Sequence, residues 1–386
     1  MAKNKITPTI GIDAADLCYS RIDGTRIYIL NMLERFGVIA PKTLFYIYLK
    51  GQLNPYLRFK KFPNYQIENR RMPALWTQIM LPHLIRKTRP DVLWVPLHNL
   101  PYWRPKNLKT VVTIHDLAFK LFPDFFPQKD LFLLNNLTAY AVKEADRIIA
   151  VSRSTARDFN EIYGVPTYKI KVIYNGYDDK FFRLPRKSEL SNIKKIKEKY
   201  KIPPNAKYLI YVGAIQPRKN LGILVSAFER IKTLHSFKDW KLVLAGSNAW
   251  LFDDLKEQIK TSVWRKDIII TGGFPVPDLP YLLWGAEMFV FPSLYEGFGI
   301  PIIEAMACGV PVISAKNSSL VEVAGNKALY FDSSKVDDLA TCIKELYSSP
   351  PKIRTMAREG LEWAKRFNWN DTAKKTYECL IETAVS

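Results

Sequence analysis

Short runs rich in β-branched and aromatic residues alternate with longer stretches of helical periodicity along most of this chain. In the first half, strands are predicted at 9–12, 44–49, 91–95, 110–114 and 147–151, with helices at 25–36, 75–88, 129–144 and 153–162. The pattern breaks at residues 183–206, RLPRKSELSNIKKIKEKYKIPPNA, which are basic, poor in apolar positions and closed by Pro203-Pro204. It then restarts, with strands predicted at 208–212, 241–245, 268–271, 287–291, 311–314 and 328–331. Helices fit 221–233, 250–262, 278–285, 301–308, 335–348 and 351–366, with a last one near 370–384. Strand–helix alternation of this kind predicts parallel sheets covered by helices on both faces. The expected organisation is α/β, with two doubly wound domains, residues 1–182 and 207–368, joined by a basic, partly helical connection at 183–206.

Composition narrows the class. A chain of 386 residues exceeds one ordinary core, and 48% hydrophobic residues predict a folded protein. Cys18, Cys308, Cys342 and Cys379 lie far apart without a C-x-x-C pair, so a reducing cytoplasm is expected. The N-terminus lacks the apolar run of a signal peptide, and no apolar stretch is long enough to span a membrane. The sequons at Asn136, Asn317 and Asn370 are therefore read as chance.

The formal net charge is +20 and uneven: +12 in residues 1–180, +7 in 181–207 and +1 in 208–386. Such asymmetry points to a polyanionic partner, nucleic acid or an anionic membrane, unless it serves solubility alone. Residues 53–71 interleave Tyr56, Phe59 and Phe62 with Arg58, Lys60, Lys61, Arg70 and Arg71. Residues 120–134 add Phe122, Phe125 and Phe126. Both segments fit either a membrane-interface surface or ordinary core beside wet loop.

Ligands of doubly wound sheets bind outside the carboxyl ends of the strands, so the loops after strands carry the candidate chemistry. In 291–309, FPSLYEGFGIPIIEAMACG, a strand ending at Phe291 is followed by the loop Glu296-Gly297-Phe298-Gly299 and then a helix starting at Pro301, its favoured first position. The glycines permit close backbone approach, and the helix start offers N–H groups to an anion. Glu296 and Glu304 frame that loop, and a carboxylate accepts two sugar hydroxyls at once. In 211–222, YVGAIQPRKNLG, Gly213 ends a strand, and Arg218 and Lys219 precede a helix with Asn220 as the expected N-cap. Two fixed cations there suit a diphosphate and the charge that develops on its departure. His115-Asp116 ends the 110–114 strand, as a sugar or acceptor contact or simply a structural turn. Gly24-Thr25, after Arg21 and Asp23, lies in the first βα turn, where phosphate or acceptor approaches. Neither G-x-G-x-x-G nor a P-loop motif occurs, and no D-x-D is present, so no metal or other cofactor is expected.

These residues carry a resemblance. EGFGIPIIE at 296–304 resembles the paired-glutamate motif of family-four retaining glycosyltransferases, and GAIQPRKNL is similar to that family's phosphate loop. HDLAF at 115–119, VSRSTARDF at 151–159 and VIYNGYD at 172–178 resemble its first-domain signatures. The likeness spans nearly the whole chain, and its closest flavour is that of bacterial mannosyltransferases of surface-polysaccharide assembly. It implies a GT-B fold: two Rossmann-like domains facing a deep cleft, the last helix, 369–386, crossing back onto the first.

By that resemblance the second domain holds a nucleotide-sugar donor. Glu304 takes the ribose. Glu296 with the backbone of Gly297, Phe298, Gly299 and Ile300 takes the hexose, and Arg218 and Lys219, after Gly213, take the diphosphate. His115 reaches the donor sugar, and the loop around Phe274 holds the base. Gly24, Thr25 and Asp116 stand on the acceptor side, although the first turn departs from the family's Gly-rich pair. GDP-mannose and a glycan or lipid-diphosphate-linked acceptor are the expected substrates, met at the inner face of a membrane.

Two-step displacement needs a carboxylate nucleophile, and both glutamates are assigned to hydroxyl binding, so front-face transfer with retention is expected. The rivals are a sugar phosphorylase or nucleotide-sugar epimerase on the same architecture. A nucleic-acid-binding protein is a further rival, but no zinc, helix-turn-helix or RNA-recognition signature supports it.

Overall fold

The computed structural model describes residues 7–20, 23–72, 75–247 and 253–386. The chain divides into two compact units, one of residues 1–176 with 369–386 and one of residues 177–368.

The first unit is built on β1 (Ile10–Asp13), β2 (Phe45–Leu49), β3 (Tyr65–Asn69), β4 (Val92–Val95), β5 (Lys109–Ile114), β6 (Arg147–Ala150) and β7 (Ile170–Val172). All pair in parallel in the order β3-β2-β1-β4-β5-β6-β7. The central strands are buried along their whole length, as a sheet covered on both faces requires. Two strands escaped the pattern. β3 is only partly buried at the sheet edge and lies inside the basic segment 53–71, and β7 has only three residues.

The first helix, Gly24–Ile39, begins at Asp23, whose carboxylate accepts from Arg26 N. The C-terminal helix Trp369–Ala384 packs on this unit. Tyr28 and Trp369 rings meet edge-on at 5.9 Å, Thr43 and Tyr377 hydroxyls lie 2.7 Å apart, and Arg35 Nε donates to Asn370 Oδ1.

The second unit carries β8 (Tyr208–Val212), β9 (Lys241–Ala245), β10 (Ile268–Gly272), β11 (Met288–Phe291), β12 (Val312–Ala315) and β13 (Ala328–Phe331). They pair in parallel in the order β10-β9-β8-β11-β12-β13. Their bounds fall within one residue of the positions the pattern predicts. The expected helix at 250–262 is observed at Asp253–Thr261, and its first three residues lie outside the described ones.

The basic segment 183–206 is not a free connection: it belongs to the second unit. Its helix Leu190–Lys199 turns Ile193, Ile196, Lys197 and, just beyond its end, Tyr200 inward at helical spacing. Lys197 lies over the Tyr208 ring and donates to Ala206 O, while Lys199 and the Tyr200 hydroxyl both bond Asp278. The boundary accordingly falls after Gly176, ahead of the expected 182.

Candidate active site

In each sheet the strand order reverses once, between β1 and β4 in the first and between β8 and β11 in the second. Loops leaving adjacent strands diverge there and open a crevice outside the carboxyl ends. The two segments singled out in the second half, 213–220 and 292–299, are the loops leaving β8 and β11.

The loop after β8 is shaped by its backbone. Gly213 has φ +149, and a Cβ on it would stand 2.6 Å from the Tyr211 hydroxyl. Pro217–Lys219 form a tight 3-10 turn, and Asn220 follows in the left-handed region at φ 54. Contrary to the expected role, Asn220 does not cap the next helix with its side chain; its Nδ2 donates to Ser333 O at 2.9 Å, tying the loop to the one after the edge strand β13.

Arg218 and Lys219 were expected to face a diphosphate and Glu296 a hexose. The structure gathers all three into one charge cluster. Lys219 Nζ pairs with Glu296 Oε1, and Arg218 Nη1 lies 3.3 Å from Glu296 Oε2 while also donating to Tyr295 O. Lys219 and Glu296 are both at least nine-tenths buried. Burial would push the Glu296 carboxyl up, but the charges of Lys219 and Arg218 outweigh it and hold the group below the usual carboxylate range. The cluster keeps one net positive charge in a low-dielectric setting, where it acts on an anion far more strongly than on the surface.

The loop after β11 is anchored from the next strand's loop. The fully buried Ser319 hydroxyl lies 2.8 Å from Glu296 O and 2.9 Å from Phe298 O and shares its one proton between them, and Glu296 N donates to Ser318 Oγ. Gly299, at φ 102, then delivers the chain into the helix Ile300–Ala307, with Pro301 in its first turn. The Phe298 side chain is buried against Phe367, so only its backbone is placed for a ligand. Ser318 and Ser319 were missed in the sequence, because a serine pair in a loop carries no spacing that marks it as a partner of Glu296.

Glu304 lies one turn into that helix, half-buried, and makes no side-chain hydrogen bond among the described residues. Burial, together with the negative charge of Asp178, pushes it up to about 8. It stands apart from the Glu296 cluster as a carboxyl without a partner. Phe274 follows β10, three strands away from β11, with its ring edge-on to Tyr200.

In the first unit, His115 and Asp116 follow β5 directly. A His115 ring nitrogen, Nε2, lies 3.2 Å from Pro96 O, consistent with donation to that carbonyl, and Tyr28 packs edge-on at 5.1 Å. Burial keeps His115 below the ordinary histidine range despite that bond and Asp116. Asp116 Oδ1 accepts from Ala118 N, so one of its oxygens closes a local turn. Gly24 and Thr25 open the first helix behind Asp23, and Arg26 bridges Asp16 and Asp23. Arg21 and Ile22 of the first turn lie outside the described residues. Sequence reasoning passed over Asp13, the last residue of β1, and His98, just past β4. Each is a lone polar residue beside an apolar run, and only the strand order shows that both end at the reversal.

The chain matches known protein families. The family described as "Glycosyl transferases group 1" matches residues 192–363, and "Glycosyltransferase Family 4" matches residues 40–181. O-antigen chain mannosyltransferase B of Escherichia coli is 28% identical over 280 residues, 72% of this chain and 72% of that protein. The serotype-specific mannosyltransferase WbdA of Escherichia coli is 27% identical over 288 residues, which span 74% of this chain but only 34% of that longer protein. The crystal structure of Anabaena HepE in complex with UDP and glucose is similar in fold, with a TM-score of 0.73 at 19% identity over 97% of this chain and 99% of that one. The two family matches lie in tandem, one on each sheet, and with the two parallel Rossmann-like sheets they establish that this chain is a glycosyltransferase of family four with the GT-B fold.

Proposed function

We propose that this glycosyltransferase moves a mannosyl group, with retention of configuration, from GDP-mannose to a glycan or lipid-diphosphate-linked glycan acceptor. The observation that carries the reading is the cluster of Arg218, Lys219 and Glu296 at the strand reversal of the second sheet, with the unpartnered Glu304 one turn beyond. The cations take the diphosphate, and Glu304 takes two ribose hydroxyls. Glu296, ionised and with its charge balanced by the cations, orients both of them and offers its remaining acceptor capacity to the hexose. Mannose as the sugar and surface polysaccharide as the product class are supported by the O-antigen mannosyltransferases among the relatives.

In the reaction the bond from C1 of the sugar to the phosphate oxygen breaks, and a bond from the acceptor oxygen to C1 forms on the same face. The acceptor's proton passes to the departing diphosphate. Glu296 is held ionised between two cations and is a poor nucleophile, which favours this route over a covalent intermediate. Catalysis then rests on positioning and on preorganised charge at the leaving group, without a metal.

Purified protein with GDP-mannose, UDP-glucose and UDP-galactose, each with and without a panel of octyl glycosides, tests the reading. The expected result is acceptor-dependent GDP release and an α-mannoside product by NMR, undiminished in EDTA. Acceptor-independent turnover, release of sugar 1-phosphate or an inverted anomer would each overturn it.

A further inference from the structure

The first sheet reverses its strand order between β1 and β4, and the register sets Ile12 opposite Trp94, so Asp13 and Val95 end their strands side by side. Asp13 is only 9% exposed. Its Oδ1 accepts from Trp76 Nε1 at 3.1 Å and from Ala15 N at 3.2 Å, and its Oδ2 has no hydrogen-bond partner among the described residues. That oxygen is not among the buried polar atoms left without a partner, so it is open to solvent or to a ligand that donates to it.

The neighbourhood is fixed rather than loose. Trp76 opens a π-helical turn, Trp76–Met80, that follows Leu75 in the left-handed region at φ 54. Single π turns are rare and concentrate at functional sites. The loop leaving β4 is bound to that same turn: Asn99 Nδ2 donates to Thr77 Oγ1 at 2.9 Å, Gln78 Nε2 to Leu100 O, and Tyr102 N to Gln78 Oε1.

His98 sits in this loop, next to Asn99, with its ring against Phe119. Neither ring nitrogen has a hydrogen-bond partner among the described residues. Burial, with His115 nearby, outweighs Asp116 and lowers it to about 4, so at neutral pH the ring is uncharged and presents one donor and one acceptor.

We propose that Asp13 and His98 bind hydroxyl groups of the acceptor sugar, Asp13 through Oδ2 and His98 through its two ring nitrogens. This rests on the glycosyl-transfer reading above, with the first unit as the acceptor side. A carboxylate oxygen and a neutral imidazole held at one strand reversal match adjacent sugar hydroxyls, which each donate and accept. The pair also separates acceptor recognition from the diphosphate cluster, which belongs to the other unit.

The test uses the full-length protein with GDP-mannose and whichever octyl glycoside of the panel the wild type accepts best. Asp13→Asn retains the oxygen that takes Trp76 and Ala15 but replaces the unmatched one, and His98→Phe keeps a ring without its nitrogens. The acceptor KM is expected to rise about tenfold or more in Asp13→Asn and roughly three- to tenfold in His98→Phe, on the scale of one lost hydrogen bond to a charged or a neutral group. The KM for GDP-mannose should stay within about twofold. Thermal unfolding of both variants shows whether the fold is kept, and His98→Phe alone decides if Asp13→Asn does not fold. An unchanged acceptor KM, or acceptor and donor KM rising in parallel, would overturn the assignment. Absence of transfer by the wild type to every glycoside would instead overturn the transfer reading on which it rests.

Discussion

At the residue scale the informative groups are two glutamates of one motif held in opposite protonation states. Glu296 is kept ionised by Lys219 and Arg218, while burial beside Asp178 pushes Glu304 to about 8. Replacing Glu296 by Gln removes the charge that holds both cations. Turnover is expected to fall at least about tenfold, whereas affinity for free GDP in calorimetry should hold or increase, since the cluster gains net positive charge. Arg218→Ala and Lys219→Ala should each lower turnover by about 10²–10³-fold, the scale for one preorganised charge-stabilising donor.

Glu304 carries a pH signature. Its folded value lies above the ordinary 4.5, so its contribution to stability is full below about 4.5 and is lost as pH rises through about 8. Glu304→Gln lacks that loss, so its melting temperature relative to wild type should climb between pH 5 and 9. A ribose donating two hydrogen bonds favours the carboxylate. GDP affinity of the wild type should therefore rise with pH up to about 8, and that dependence should vanish in Glu304→Gln. A parallel pH dependence in both proteins would remove Glu304 from the nucleotide site.

At the element scale, the loop between β11 and the helix Ile300–Ala307 is held from outside itself. Ser319 satisfies two of its carbonyls, and Gly299 makes a turn closed to other residues by its φ of 102 and by Leu320, 3.0 Å from a would-be Cβ. Ser319→Ala leaves the Glu296 and Phe298 carbonyls without that partner. The expected cost is about 1–3 kcal/mol, read as a lower thermal transition, together with weaker GDP-mannose binding. Wild-type donor affinity in that variant would mean the loop keeps its shape unaided.

Helices and central strands were legible because burial on both faces writes apolar runs and 3.6-residue stripes into the chain. β3 was not, since an edge strand half open to water carries charges and tyrosines like any loop. The helix Leu190–Lys199 is the helical part expected of the basic segment, but its lysines hid that Ile193, Ile196 and Tyr200 turn inward beneath them.

At the scale of the whole molecule, the basic surface of the first unit takes a different form from the one expected. In 56–62 the chain alternates: Arg58 and Lys60 point to water, as does Lys61, while Leu57 and Phe59 are buried. Phe62 packs beneath Gly37 with Lys60 Nζ 5.2 Å over its ring, so of the three aromatics only Tyr56, 80% exposed, stands open to water. No helix of the described residues is long and apolar enough to cross a membrane. Docking on an anionic leaflet, which we propose as the route to a lipid-linked acceptor, therefore rests on charge at this patch, about 1 kcal/mol for each cation near the surface.

In the second segment, 120–134, the exposed large apolar groups are Leu121, Phe132 and Leu133, the last two on the helix Gln128–Glu144, whereas Phe122, Phe125 and Phe126 are half-buried. Sedimentation with anionic vesicles should bring the protein down at low salt and release it as salt rises. Arg58, Lys60 and Lys61 changed together to Glu should abolish binding, while Tyr56→Ser should change it little. Salt-insensitive binding, or equal sedimentation of wild type and triple variant, would end the electrostatic account.

The amino-acid sequence by itself determined the α/β class, the tandem sheets and the two strand-end loops of the donor unit, because local periodicity and turn chemistry act over a few residues. Tertiary structure decided what those loops do to one another. Arg218 and Glu296 are 78 positions apart and meet only because β8 and β11 are neighbours in the sheet. Asp13 and His98 come to the same edge for the same reason, through β1 and β4. Protonation follows that assembly, since the fate of a buried carboxyl depends on which charges the fold brings beside it: two cations for Glu296, and an aspartate for Glu304.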